Sequence, residues 1–289
     1  MNYETPLYRP PSEAQSLILQ ATIGCSHNAC TFCSMYSKKK FRVRSLEEVY
    51  EDISWARANY GKVQRIFLAD GDALAMETEA LLAILKKLTD SFPEAERISI
   101  YAGPKNILAK TEQELVAIRQ AGIKLAYFGL ESGDAEVLQA VKKGVTPQEM
   151  IKAASKVRAA GIELSLTVIL GLGGKKHSRQ HALHTAEVVS QIDPEYLAAL
   201  TLMTEKSTPL AARIAGGEFS LLSPREVLLE LKMMLACLEV KNCLFRSNHA
   251  SNYFAVGGLL PLDKERLLAE TEQALGDYLL LKNEYLRGL

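Results

Sequence analysis

Residues 17–36 read LILQATIGCSHNACTFCSMY, and three of the chain's five cysteines, Cys25, Cys30 and Cys33, fall within nine residues of one another. Thiolates are soft ligands suited to iron–sulfur clusters or zinc. Three on one loop can hold three corners of a 4Fe–4S cube and leave the fourth iron open, whereas a closed zinc site needs a fourth ligand. His27 is the nearby candidate for that fourth position. An odd cysteine count crowded in this way fits a metal or cluster site in a reducing compartment better than a disulfide framework, so the chain reads as cytoplasmic. Cys237 and Cys243 are too few for a second cluster, which would need three or four protein ligands.

Other groups able to do chemistry gather where apolar runs end. LADGDAL presents Asp70, Gly71 and Asp72, and Asp70 reads as a substrate ligand, a proton acceptor or a turn residue satisfying backbone N–H groups. Tyr101, Lys105 and Asn106 form a secondary group. Gly171, Gly173 and Gly174 make a glycine-rich loop that matches neither a dinucleotide fingerprint nor a phosphate-binding loop. His177, His181 and His184 recur at helical spacing and could bind zinc, but a packed or capped helix face is the more common meaning of such a run. His181 is expected to hold the preceding loop. In CLFRSNHASNYF, Arg246, Asn248, His249, Asn252 and Tyr253 concentrate recognition groups between apolar residues, which suits a ligand-facing loop.

These residues need a frame, and the pattern supplies one. Short, nearly all-apolar runs at 17–23, 65–69, 98–101, 125–130, 164–170 and 196–202 read as parallel strands buried on both faces. Helical patterns alternate with them, the clearest carrying Leu81, Leu82, Ile84, Leu85 and Leu88 on one stripe. Ser45 followed by Glu48 is a capping-box start. Six strand–helix units imply a β/α barrel or a doubly wound sheet, and in both the ligands sit at the C-terminal ends of the strands. Residues 1–14, with Pro6, Pro10 and Pro11, read as an extended arm. The pattern breaks up between 204 and 217, and beyond it lie a helix at 224–240, an irregular polar segment and a last helix at about 263–285.

The cysteine loop resembles that of the radical SAM superfamily, whose signature is three cysteines after the first barrel strand with an aromatic residue just before the last. Phe32 matches that aromatic, and the departure is one extra residue between the first two cysteines. YFGLESGDAEVLQAVKKGVT is similar to the fourth-strand region of the oxygen-independent coproporphyrinogen oxidase and methylthiotransferase type. The resemblance implies an α/β fold, a partial (β/α)6 TIM-type barrel over 15–204, with an arm at 1–14 and a short α-rich extension at 205–289 covering the barrel. It implies one 4Fe–4S cluster on Cys25, Cys30 and Cys33, and S-adenosyl-L-methionine (SAM) as the second cofactor.

By the same resemblance Gly71 and Asp72 would hold the SAM amino group, Glu131 the ribose with Ser132 beside it, and Lys143 the methionine carboxylate. Thr167 stands where some relatives have an acidic ribose ligand, and Ile169 with Gly171 would line the adenine. Asp70, Arg246, His249 and Tyr253 are then the candidates facing the substrate. The implied activity is reductive cleavage of SAM to a 5'-deoxyadenosyl radical that abstracts hydrogen from a small molecule or peptide, with an electron donor such as flavodoxin or ferredoxin as partner.

Composition narrows the alternatives. The 34 Lys+Arg residues balance 34 Asp+Glu, so no net field draws the chain to nucleic acid or an anionic membrane. No apolar run approaches the roughly 18 residues of a membrane span, and the first residues lack the pattern of a signal peptide. The competing class is a noncatalytic sensor module that uses the cysteines for zinc or a regulatory cluster.

Overall fold

The computed structural model describes residues 1–288. Its strands are β1 (Leu17–Gln20), β2 (Thr22–Ile23), β3 (Arg42–Val43), β4 (Arg65–Ala69), β5 (Arg97–Tyr101), β6 (Ile123–Glu131), β7 (Glu163–Leu170), β8 (Tyr196–Thr201), β9 (Cys243–Ser247) and β10 (Val256–Leu260). Eight of them form one mostly parallel sheet in the order β1-β4-β5-β6-β7-β8-β9-β10, and β10 runs antiparallel to β9. The order of the strands follows the chain, as in a β/α barrel wound by successive right-handed crossovers, and the sheet is not closed. Each of the six expected runs contributes a strand to this sheet.

Three findings depart from the expectation. The run 17–23 is two strands, because the chain leaves the sheet at Ala21 and pairs β2 with β3 as a separate antiparallel ribbon. The region expected to be irregular and polar contains β9 and β10, which extend the sheet beyond six strands. Three helices, Pro209–Ala215, Pro224–Cys237 and Lys264–Gly276, accompany them. The last ends at Gly276, short of the expected 285, and gives way to the 3-10 turns Tyr278–Leu280 and Glu284–Leu286.

The chain packs as two compact units. One comprises Met1–Asn28, Met35–Phe128 and Lys152–Leu164, and the other Ala29–Ser34, Gly129–Ile151 and the chain from Ser165 onward. In the first, the helix Thr78–Ser91 buries Leu81, Ile84, Leu85 and Leu88, the stripe its period defines. Leu46–Asn59 starts at the predicted capping box, with Glu48 N–H donating to Ser45 Oγ and Ser45 N–H donating to Glu48. Phe67, Tyr101 and Tyr127 meet edge to face, with centroids 5.0 to 6.0 Å apart. The N-terminal arm lies on this unit: Tyr3 Oη donates to the Ile18 carbonyl at 2.7 Å, and buried Glu13 accepts from Tyr127 Oη at 2.6 Å and from Arg97 at 2.7 Å.

In the second unit the helix Gly174–Ile192 packs on Pro224–Cys237, which packs on Lys264–Gly276. Leu166 and Val168 of β7, Leu197 and Ala199 of β8, and Cys243 and Phe245 of β9 form a buried sheet face. Among the described residues no helix is long and apolar enough to cross a membrane.

Candidate active site

Non-glycine residues with positive φ mark two strand ends: Asp70 (65°) directly after β4 and Glu131 (63°) at the end of β6, while Gly171 (83°) follows β7. Left-handed backbone at a non-glycine residue is held by its surroundings against a cost, and such strain concentrates at functional sites. Here it falls at the C-terminal strand ends, where the barrel pattern predicts ligands.

In the first unit the cysteine loop is tied to the end of β4. Gly71 N–H donates to the Gly24 carbonyl at 2.9 Å, and Gly24 N–H donates to Asp70 Oδ2 at 2.7 Å. A Cβ at Gly71 would lie 2.6 Å from Cys25 Cβ and 2.9 Å from Cys25 Cα, so only glycine allows this approach. We expect Gly71→Ala to push the Cys25 loop off β4 and lower iron content after reconstitution several-fold; full iron loading of this variant would contradict the close approach.

Asp70 is fully buried and its carboxylate is engaged by Lys39 Nζ at 3.1 Å as well as by Gly24. These are the contacts of a buried carboxylate that satisfies a backbone N–H and a buried cation at the turn after β4. Asp72 is buried too: Oδ1 accepts from Gly103 N–H at 3.1 Å, Oδ2 from Ser26 Oγ at 3.1 Å and from the Asn106 amide. His27 has Lys105 Nζ at 3.4 Å from Nδ1, and Tyr101 belongs to the aromatic cluster.

In the second unit Cys30 and Cys33 are half-buried and joined by a turn in which Cys33 N–H donates to the Cys30 carbonyl at 3.3 Å. Thr31 between them donates to the Val141 carbonyl and accepts from Leu210 N–H, both at 2.9 Å. Phe32 packs on Val137, Val141, Leu172, Leu202 and Leu210. The aromatic residue thus anchors the loop in the core.

Glu131 and Lys143, expected to take different parts of SAM, form a 2.9 Å ion pair with side chains 13% and 12% exposed. Gly129 makes room for the pair, since a Cβ there would lie 2.2 Å from Glu131 Oε1 and 3.1 Å from Lys143 Nζ. Ser132 is fully buried, with its hydroxyl 2.8 Å from His181 Nδ1 and accepting from Asp134 N–H at 3.0 Å, so it orders the loop after β6. His181 Nε2 lies 3.1 Å from the Ile169 carbonyl, and the imidazole therefore ties the ends of β6 and β7 together. His184 pairs with Asp134 at 2.7 Å and His177 with Glu136 at 3.5 Å, so the three histidines have three different partners. Thr167 and Ile169 are half-buried on β7 and Gly171 is buried.

Sequence reasoning missed Glu230. It is fully buried on Pro224–Cys237 and accepts from Gly171 N–H at 2.6 Å and from Ser178 Oγ at 2.5 Å, which fixes the loop after β7. The signal was a carboxylate on the apolar stripe of Val227, Leu231 and Met234.

The segment after β9 holds itself in place. Asn252 is buried, accepting from Thr201 Oγ1 at 2.9 Å and donating to the Ala199 carbonyl at 2.9 Å. Tyr253 is 6% exposed; its hydroxyl donates to Glu284 at 2.5 Å and its ring stacks on Arg287 at 4.1 Å. His249 is hydrogen-bonded to Ser251, and burial together with Lys282 holds it below the usual imidazole range. Asn252, Tyr253 and His249 thus each have a hydrogen-bond partner. Arg246 alone of the three C-terminal candidates stands exposed on β9 with no hydrogen bond or ion pair among the described residues.

Residues 19–189 match the family model of the radical SAM superfamily, and the chain belongs to that superfamily. Its cofactors are accordingly a 4Fe–4S cluster and SAM. It is 26% identical over 192 residues to an uncharacterized methyltransferase of Pyrococcus horikoshii, a match covering 65% of this chain and 39% of that relative's length. The fold is similar to coproporphyrinogen III oxidase (HemN) from Escherichia coli, with a TM-score of 0.60 at 18% identity over 76% of this chain and 51% of that one. Methylornithine synthase (PylB) gives a TM-score of 0.56 at 14% identity, covering 89% of this chain and 68% of that one.

The donor set fits the cluster. Three half-buried thiols follow β2 on one loop. Among the described residues no three His, Cys, Asp or Glu side chains are grouped to hold a single metal ion. Each cysteine of a cube binds its own iron, so convergence on one ion is not the mark of such a site.

Proposed function

We propose that the chain is a radical SAM enzyme that removes a hydrogen atom from a small molecule or a peptide side chain. The cysteine loop carries this reading, because its three thiols lie in the matched region and the first of them, Cys25, packs closely on Gly71 at the end of β4. Cys25, Cys30 and Cys33 would hold three irons of the 4Fe–4S cluster, and the fourth would face SAM. When bound, the cluster supplies the electron that splits SAM into methionine and a 5'-deoxyadenosyl radical.

The chain's own residues bind and orient. A methionine moiety is zwitterionic and needs an anion for its ammonium and a cation for its carboxylate. Asp72, steadied by Gly103, Ser26 and Asn106, is the proposed anion. Lys143 is the proposed cation, with Glu131 beside it for the ribose hydroxyls. Thr167, Ile169 and Gly171 are assigned to the nucleoside side, with Phe32 and Ser132 supporting their loops. Residues 15–204 would form the catalytic core and 205–289 its cover, in a cytoplasmic protein reduced by a flavodoxin or ferredoxin.

Asp72→Ala, Glu131→Ala and Lys143→Ala are each expected to weaken SAM binding by roughly 1–3 kcal/mol, the value of a charge-assisted hydrogen bond. Glu131 and Lys143 are in contact, so their double variant should lose less than the sum of the singles. Equilibrium binding of SAM to the reconstituted protein measures this, and unchanged affinity in all three variants would remove these assignments while leaving the cysteines untouched.

A further inference from the structure

Strand register places Arg246 on a sheet face of defined composition. Thr167 of β7 pairs with Ala198 of β8, Ala198 with Arg246 of β9, and Arg246 with Gly257 of β10. One step toward the start of β7 lies a second row of Ser165, Tyr196, Leu244 and Leu259. Directly paired residues project to the same side of a sheet. The alternate residues, including Leu166, Leu197 and Phe245, are the buried ones, so these two rows form the opposite and more open face.

On that face Arg246 is the one cation of the two rows, with the hydroxyls of Thr167, Ser165 and Tyr196 as polar company. Its neighbours in the row are Ala198 and Gly257, two small residues that leave room around a guanidinium. Arg246 has no partner among the described residues. A charged residue on an edge strand commonly serves to prevent aggregation, but β9 is paired on both sides, by β8 and β10, so that role is absent here. A guanidinium offers a planar fork that matches carboxylate and phosphate oxygens two at a time. With strands about 4.8 Å apart, Thr167 and Arg246 stand about 10 Å apart across the sheet, a small molecule's width.

We propose that the substrate is a small anion whose carboxylate or phosphate group is bound by Arg246 on this face, with the Tyr196 hydroxyl as a neutral contact. Its status as the substrate's anchor rests on the radical SAM reading of the same site, but the anion contact itself does not.

The test is calorimetric titration of the reconstituted protein, with SAM present and no reductant, against glutarate, inorganic phosphate and the neutral glutaramide. Glutarate or phosphate should bind saturably and glutaramide should not, and the stronger of the two anions assigns the group. Arg246→Gln should weaken that binding at least tenfold, with melting temperature and iron content unchanged, and Arg246→Lys should retain part of it. Absence of saturable anion binding, equal binding of glutaramide, or full affinity in Arg246→Gln would each overturn the proposal. Failure of the wild-type protein to cleave SAM in a separate assay would sink the radical reading and not this contact.

Discussion

Replacing any of Cys25, Cys30 and Cys33 by serine is expected to leave the reconstituted protein without a stable cluster, while Cys237→Ser and Cys243→Ser keep their iron. The contrast has a physical basis. The thiolate, not the thiol, is the ligand, and burial, together with Asp193 and Glu195, pushes the Cys243 thiol up to about 12. Cys237 lies exposed on Pro224–Cys237, away in sequence from the loop. Iron and sulfide analysis with the visible absorption of each variant checks the prediction. Iron retained by the triple variant, or lost on replacing Cys237 and Cys243, would contradict it.

The second large effect is expected from Lys39→Met. Lys39 and Asp70 form an ion pair with side chains 4% and 0% exposed, and Lys39 Nζ also donates to the Glu4 carbonyl at 2.7 Å. Removing the cation leaves a buried carboxylate uncompensated, which costs about 3–5 kcal/mol. For a chain of this size that corresponds to a fall in Tm on the order of 10 °C. Because Asp70 also fixes Gly24, next to Cys25, the variant should lose cluster more readily on storage. Lys39→Met/Asp70→Asn removes both charges and should recover part of the stability, since the penalty arises from the unpaired ion. A single variant as stable as the wild type would show that Asp70 is not held as described.

What could be read from the sequence follows the range of the interactions. The strands β4 to β8 and the stripe of Thr78–Ser91 were legible because local apolar runs specify them. The cysteine loop was legible because its spacing is local. β9 and β10 were not, because CLFRS alternates buried and open residues over too few positions, and the two glycines of VGGLL read as a turn. The partners of Asp70 lie 31 and 46 residues away, and those of Tyr253 lie 31 and 34 residues away, so their roles depend on tertiary packing that no local pattern encodes. Glu131 and Lys143 were placed in the same site, yet their mutual pairing, and the need for Gly129 beside them, appear only with the side chains in position.

The central claim, that this chain uses a cluster on Cys25, Cys30 and Cys33 to cleave SAM, is tested most directly by one anaerobic measurement. The purified chain is reconstituted with iron and sulfide, reduced with dithionite and given SAM, and 5'-deoxyadenosine is quantified against bound iron. The account predicts a brown protein with about four irons and 5'-deoxyadenosine formed in time-dependent fashion, with none from the Cys25→Ser/Cys30→Ser/Cys33→Ser variant. A colourless zinc protein, or a fully loaded cluster that leaves SAM intact under reductant, would contradict it.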